Sequence, residues 1–202
     1  MASYELKKLD DKHYVVVKNG EYRYNILFKK AAWSCDCPAR KSCKHLAMLP
    51  PEVQVKRYPR DEITDAYNKL LPYFYRHVHD MVGSYRRGSK DSKDIDIIIL
   101  CNIFTFDQLM LNLRSIMNII SAGSTKIHGT IEGIPVDIDR VDEVEHYAAH
   151  LLYRTGPASL NIKMRQLAKD RGFILNEHVI ANSEEEIFRM VNMCYIKPED
   201  RA

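Results

Sequence analysis

The sequence predicts an α+β fold, and three observations carry that expectation. Residues 14–18 and 22–28 form two strand-like runs on either side of Asn19-Gly20, and residues 125–131 and 134–141 alternate apolar and polar side chains around Glu132-Gly133. Both read as β-hairpins, since such dipeptides suit the tight turn that twisted strands need, although Glu-Gly is the poorer pair. The run 95–100, Ile-Asp-Ile-Ile-Ile-Leu, is too short and too β-branched for a helix and reads as a strand buried on both faces. Helical periodicity fills the remaining intervals.

Taken in order, a helix is expected from Pro59 through Ile63, Ala66, Tyr67, Leu70 and Leu71, with Pro72 near its end. Val82-Gly83-Ser84 then forms a glycine turn before the buried strand. Thr105 is placed to cap a helix over about 107–120 whose apolar positions are Leu109, Leu113, Ile116 and Ile120. A helix over 161–171 stops at Gly172, and Ser183 with Glu186 forms a capping box before Ile187, Val191 and Cys194. Pro50-Pro51 marks a boundary, so residues 1–50 read as a hairpin leading into a compact metal knuckle. The rest divides into 51–144 and 145–202.

A chain of 202 residues can bury a real core. Its net charge of +3 permits a nucleic-acid partner without requiring one. Cys35, Cys37 and Cys43 cluster, while Cys101 and Cys194 stand alone in apolar surroundings. An odd count with one tight cluster argues for reduced thiols and a metal site over a disulfide framework. The N-terminus has no apolar signal run and no stretch could span a bilayer, so a soluble intracellular protein, cytoplasmic or nuclear/nucleoid, is expected.

The densest chemistry lies in Gly83-Ser84-Tyr85-Arg86-Arg87-Gly88 followed by Asp94-Ile95-Asp96. Two aspartates two apart on a strand share a face. Their carboxylates repel, and burying them bare is costly; a divalent cation relieves both penalties, and Mg²⁺ (or Mn²⁺) favours carboxylates plus substrate phosphates. Gly83 lets the backbone approach a ligand, and the Ser84 hydroxyl and Arg87 guanidinium can hold phosphate oxygens. Arg86 taken alone reads as structural. A third carboxylate, needed to hold two ions about 3.5–4 Å apart for in-line displacement at phosphorus, is offered by Val136-Asp137-Ile138-Asp139. Periodicity does not choose between Asp137 and Asp139.

These motifs, at this spacing, resemble the palm signature of the family X DNA polymerases. The resemblance implies a nucleotidyltransferase palm, a mixed sheet with helices on one face, followed by a helical/mixed nucleotide-selecting subdomain. It implies that Ser84 and Arg87 contact the incoming triphosphate and that Asp94 and Asp96 hold both metal ions. Val136-Asp137-Ile138 is similar to the family's third-aspartate strand, which points to Asp137 acting on the primer 3′-hydroxyl. Lys56-Arg57-Tyr58-Pro59-Arg60 is similar to the segment before the palm and implies a triphosphate contact for Arg57. Leu152-Tyr153-Arg154-Thr155-Gly156, then Asn161 and Arg165, resembles the nucleotide-selecting region. There Tyr153 and Gly156 would lie beneath the sugar, Asn161 would meet the base edge, and Arg165 would touch the template.

Two departures stand out. Arg154 replaces the family's phenylalanine under the deoxyribose, and Pro157 follows Gly156 where serine is usual. The family carries a cis peptide at that junction, so a cis Gly156-Pro157 bond is expected, proline lowering the cis cost to about 0.5–1 kcal/mol.

Cys35-Asp-Cys37 followed by Cys43-Lys-His45 supplies three thiolates and an imidazole, a complete tetrahedral set for one structural Zn²⁺. Preceded by a hairpin, it resembles the SWIM zinc finger, a module associated with DNA and protein binding. No helix-hairpin-helix glycine motif is visible, so the deoxyribose-phosphate lyase activity of some family members is not expected. The zinc module could take over DNA gripping through Lys29, Lys30, Arg40, Lys41 and Lys44. The resemblance as a whole implies a DNA-directed DNA polymerase that fills short gaps in repair, with dNTP and gapped or primer-template DNA as partners and no membrane. An untemplated terminal nucleotidyltransferase on DNA or RNA ends is the alternative.

Overall fold

The computed structural model describes residues 4–10, 13–29, 32–38, 43–49 and 56–201. The chain folds as two compact units, Met1–Lys56 and Arg57–Ala202.

The first unit is a four-stranded antiparallel sheet in the order β1 (Tyr4–Asp10), β2 (His13–Lys18), β3 (Glu21–Lys29), β4 (Ala32–Cys35). The Asn19-Gly20 hairpin forms as expected, with both turn residues at positive φ (52° and 85°). The flanking strands β1 and β4 were not legible. β1 sets Tyr4 and Leu6 against Glu5 and Lys7 and breaks into Lys8-Leu9, an edge-strand pattern with a weak apolar face. A two-stranded hairpin is marginal alone, and the extra strands complete a small core of Tyr14, Val16, Ile26 and Leu49. Pro50-Pro51, together with Lys30, Arg40 and Lys41, lies outside the described residues.

The second unit is built on a mixed five-stranded sheet. Its first strands are β6 (His79–Met81) and β8 (Ile95–Leu100), and a two-residue pair, β5 (Tyr58–Pro59) with β7 (Asp91–Ser92), sits beside them. β9 (Asn118–Ala122), β10 (Lys126–Ile131) and β11 (Ile134–Val141) complete it. The order is β6-β8-β11-β10-β9, with β8 and β11 parallel and the other pairs antiparallel. The second hairpin forms at Glu132 and Gly133, again with both φ positive (52° and 82°).

Alternation on β8 sorts the two faces. Ile95, Ile97 and Ile99 pack with α1 (Arg60–Phe74) and α3 (Ile103–Leu113), and Ile98 joins Val82 and Val141 beneath Tyr147 and Leu151 of α4 (Tyr147–Thr155). The strand is thus buried on both sides, as its composition predicts. Between them, α2 is a single turn, Gly83–Arg86. The expected helix over 107–120 is corrected at both ends. Asn102, not Thr105, caps it, its side chain accepting from the Thr105 N–H at 2.9 Å, and the helix ends at Leu113. Residues 118–122 form β9 instead, because the β-branched Ile119 and Ile120 find an open edge of β10 to pair with, and pairing overrides periodicity.

The C-terminal part packs α4, α5 (Ala158–Asp170) and α6 (Glu184–Met190) around Leu152, Met164, Ala168, Ile187 and Phe188. α5 stops at Gly172, which sits at φ 81°. Ser183 caps α6, accepting from the Glu186 N–H at 3.3 Å. Glu186 reaches one residue further back than a capping box requires, accepting from the Asn182 N–H at 2.8 Å. Cys194 is exposed, whereas Cys101 is buried. Among the described residues, no helix is long and apolar enough to cross a membrane.

Candidate active site

The site starts from strand register. β11 runs parallel to β8 with Val136 opposite Ile95 and Asp137 opposite Asp96, so Asp96 and Asp137 emerge side by side from the face that α1 and α3 leave uncovered. Asp94 immediately precedes β8, with the Lys93 ammonium 3.3 Å from its carboxylate. Above Asp96, the chain leaves β6 through Val82, whose N–H donates to the Asp96 carbonyl at 2.8 Å, and turns at Gly83, φ 63°. A Cβ on Gly83 would lie 2.2 Å from Asp96 Oδ2, so only glycine lets this turn close over the carboxylate. Arg60 of α1 supports the turn, its guanidinium stacking on Tyr85 at 3.8 Å and donating to the Tyr85 carbonyl at 2.8 Å. Ser84 Oγ lies 2.7 Å from Ser92 Oγ.

The acids differ in electrostatic state. Burial, reinforced by Asp94, Asp137 and Asp139, pushes Asp96 up to about 7. Burial acts in the same sense on Asp137, but Lys126 (2.7 Å) and His128 (2.6 Å) outweigh it and hold that carboxyl below its ordinary range. Asp139 is raised by burial despite its 2.5 Å contact with Arg154. A cluster that cannot fully ionise unaided is what a divalent-cation site made of carboxylates looks like. In pH terms, folded Asp96 holds its proton more tightly than the unfolded chain, so its contribution to stability falls as pH rises from about 4 to about 7. A cation relieves repulsion only among ionised acids. Mg²⁺ should therefore raise Tm more at about pH 8 than at about pH 5.5, where protons compete with it. Equal shifts in a thermal melt at the two values would contradict this.

Asp94 and Asp96 open onto a cleft of about 450 Å³, which Asp137 and Asp139 do not line. Gly83, Ser84, Arg87, Asp94 and Asp96 line it from the palm side, and Tyr153, Gly156, Asn161 and Arg165 from the other. Nine residues singled out in the sequence thus meet in one place. Asn161 donates to the Tyr153 carbonyl at 2.8 Å, and the Arg165 guanidinium stacks on the Tyr153 ring at 4.8 Å, so the two share a face of α5. The Gly156-Pro157 peptide is cis. Arg87 donates to the Thr155 carbonyl and so borders both walls.

Other residues fall elsewhere. Arg57 does not line the cleft; its guanidinium is taken by Asp91, at 2.6 Å to the carboxylate and 2.9 Å to the carbonyl. Arg86 is structural, bonded to Thr155 at 2.8 Å and to both oxygens of buried Glu184. Lys44 lies over the Tyr4 ring at 4.5 Å in the N-terminal unit. Sequence reasoning missed Lys126 and His128. The signal was present: a two-residue turn at 132–133 forces 128 opposite 137 and 126 opposite 139.

In the N-terminal unit, one ligand atom from each of Cys35, Cys37, Cys43 and His45 lies within 4.8 Å of the others. Burial and the neighbouring thiols push Cys35 up to about 12, so this set does not ionise fully without a bound cation. His45 turns Nδ1 toward Cys35 (3.7 Å) and Cys43 (3.6 Å), while its Nε2 is buried without a hydrogen-bond partner.

Comparison with known proteins agrees with this geometry. The family described as DNA polymerase beta palm matches residues 57–128, and DNA polymerase beta thumb matches residues 150–202. Over 133 residues the chain is 32% identical to the DNA polymerase/3′-5′ exonuclease PolX of Bacillus subtilis (strain 168). That match takes in 59% of this chain and 23% of the relative, so the chain spans well under two thirds of the relative's length. With palm and thumb matched in order over more than half of its residues, and with the acids of the palm gathered on one face, this chain belongs to the family X DNA polymerases.

Proposed function

We propose that this chain transfers nucleotides from dNTP to a primer 3′-hydroxyl on gapped or primer-template DNA, as a short-gap-filling polymerase of DNA repair. The observation that carries the reading is that Asp94 and Asp96 line one cleft with a phosphate-binding turn, while strand register sets Asp137 directly beside Asp96.

Asp94, Asp96 and Asp137 would hold two Mg²⁺ or Mn²⁺ ions, and their acid-rich, partly desolvated setting fits that charge. When bound, such ions supply charge neutralisation at the transferred phosphoryl group and a more acidic 3′-hydroxyl. The protein's part is placement. The Ser84 hydroxyl and Arg87 guanidinium lie where triphosphate oxygens would enter. Lys126 and His128 keep Asp137 ionised, and therefore able to accept the proton of the primer hydroxyl. Tyr153 and Gly156 form the floor on which a nucleotide sugar would rest, and Asn161 and Arg165 face base and template from α5. The palm is assigned to 51–144 and the selecting subdomain to 145–202.

Primer extension on paired, gapped and single-stranded substrates tests the reading. Incorporation should follow template identity; tailing of single strands would instead show terminal transfer, and absence of product with both ions would refute catalysis. Asp137→Ala should abolish transfer in that assay, and near-normal turnover would remove Asp137 from the metal set.

One structural Zn²⁺ on Cys35, Cys37, Cys43 and His45 completes the assignment, in a SWIM-type module suited to a reducing, intracellular setting. Lys41 and Lys44 would grip the DNA backbone, and the module offers a surface for protein partners. Stripping the ion with a strong chelator should expose the three cysteine ligands to a thiol reagent and melt the β1–β4 sheet. An unchanged thiol count would exclude the zinc.

A further inference from the structure

The acid-bearing face holds a fourth carboxylate that nucleotidyl transfer does not require. Asp139 follows Asp137 by two residues on β11, so both side chains leave the sheet on one side. Asp139 is 4% exposed. Its Oδ1 accepts from Arg154 Nη2 at 2.5 Å, while its Oδ2 is buried without a hydrogen-bond partner. Asp137 has separate partners in Lys126 and His128. The two neighbouring carboxylates therefore hydrogen-bond to different cations from different elements, although Lys126 also acts at longer range on Asp139.

Arg154 stands near the end of α4, between Tyr153 and Thr155, and all three line the cleft with Ser84 and Asp96. The ion pair ties the helix end beneath the cleft to the strand that carries the acids. A guanidinium is well suited to such a tie, since it stays charged and meets a carboxylate in a fixed planar geometry.

The geometry points to Asp139 and Arg154 as a positioning pair: Arg154 withholds Asp139 from the divalent ions and keeps the end of α4 in place against β11. The inference rests on the nucleotidyl-transfer reading, which assigns the ions to the other three acids. Without Arg154, Asp139 would be an uncompensated carboxylate beside those acids and would become a ligand in its own right. Without Asp139, Arg154 would be loose in the cleft and no new ligand would appear. The two single changes therefore act differently on metal binding, which an ion pair serving stability alone does not do.

The test uses the full chain with its cysteine–histidine site loaded. Mn²⁺ binding without nucleotide is followed by electron paramagnetic resonance, and dNTP binding with Mn²⁺ by calorimetry. R154M should tighten Mn²⁺ binding by at least about threefold, as expected for one added charge at short range. D139N should not tighten it, and D139N/R154M should return to the D139N value. Both single variants should weaken dNTP binding by about tenfold, the usual cost of losing a supporting partner at a metal site. If R154M does not fold, R154Q retains a donor to Asp139 without the charge and should shift Mn²⁺ binding in the same direction. Mn²⁺ and dNTP affinities within about twofold of wild type in R154M, with only Tm altered, would overturn the pair's role. A wild-type chain that binds neither Mn²⁺ nor dNTP would instead overturn the transfer reading beneath it.

Discussion

Gly83→Ala should cut nucleotide incorporation by at least about 10²-fold while leaving the protein folded, because a displacement near 1 Å at a reacting group is enough for that loss. The added methyl would sit 2.2 Å from Asp96 Oδ2, 3.1 Å from its Cγ and 3.3 Å from its Cβ. No rotation of a methyl group avoids that overlap, so either Asp96 or the 83–86 turn must move. Gly83 also sits at φ 63°, where a Cβ costs roughly 1–2 kcal/mol. That strain is local and small against the stability of the whole unit, whose core of Ile95, Ile97 and Ile99 lies on the other face of the sheet. Steady-state primer extension with a melt on the same sample separates the effects. Activity within a few-fold of wild type would mean that the turn does not set the position of Asp96.

Glu184→Ala should be the most destabilising single change in the C-terminal unit. Glu184 is 4% exposed and accepts from Arg86 at 2.7 and 3.1 Å and from Arg201 at 2.8 Å. Arg201 is itself buried, and Arg86 also bonds Thr155 at 2.8 Å. Burial raises the Glu184 carboxyl, but the two arginines outweigh it and hold it below the ordinary glutamate range. Removing the acid leaves two cations facing each other with no counter-charge, which costs about 3–5 kcal/mol in buried pairs. For a chain of this size that lowers Tm by roughly 10 °C. Glu184→Gln keeps the acceptor and should lose less. Because the folded carboxyl is depressed, its contribution is present above the unfolded value near 4.3 and is lost as pH falls through the folded value. A Glu184→Ala melt within about 2 °C of wild type would show that the triad is not holding palm and thumb elements together.

Much of the candidate site was legible because its chemistry is local in sequence. Gly83, Ser84 and Arg87 share one turn and Asp94 and Asp96 one strand start, so spacing alone brings them together. Asn161 and Arg165 needed only a helix. Arg57 illustrates the limit. Its segment matched, yet its guanidinium pairs with Asp91, distant in sequence, and it is not among the residues that line the cleft. The helix over 107–120 failed for the same kind of reason. Its periodicity was real, but β10 offered an unpaired edge to residues 118–122, and no local pattern reveals an open edge.

Local patterns by themselves determined the two glycine hairpins, the buried strand 95–100 and the cysteine–histidine cluster, since turn geometry, β-branching and ligand spacing act over a few residues; the cis junction at Gly156-Pro157 was expected from the family resemblance. Tertiary structure alone decided which of the two aspartates faces Asp96 and which is held by Arg154. Alternation places Asp137 and Asp139 on one face but says nothing about neighbours on other elements. That choice came from the register of β11 against β8 and from the approach of α4, contacts made only when the whole unit packs.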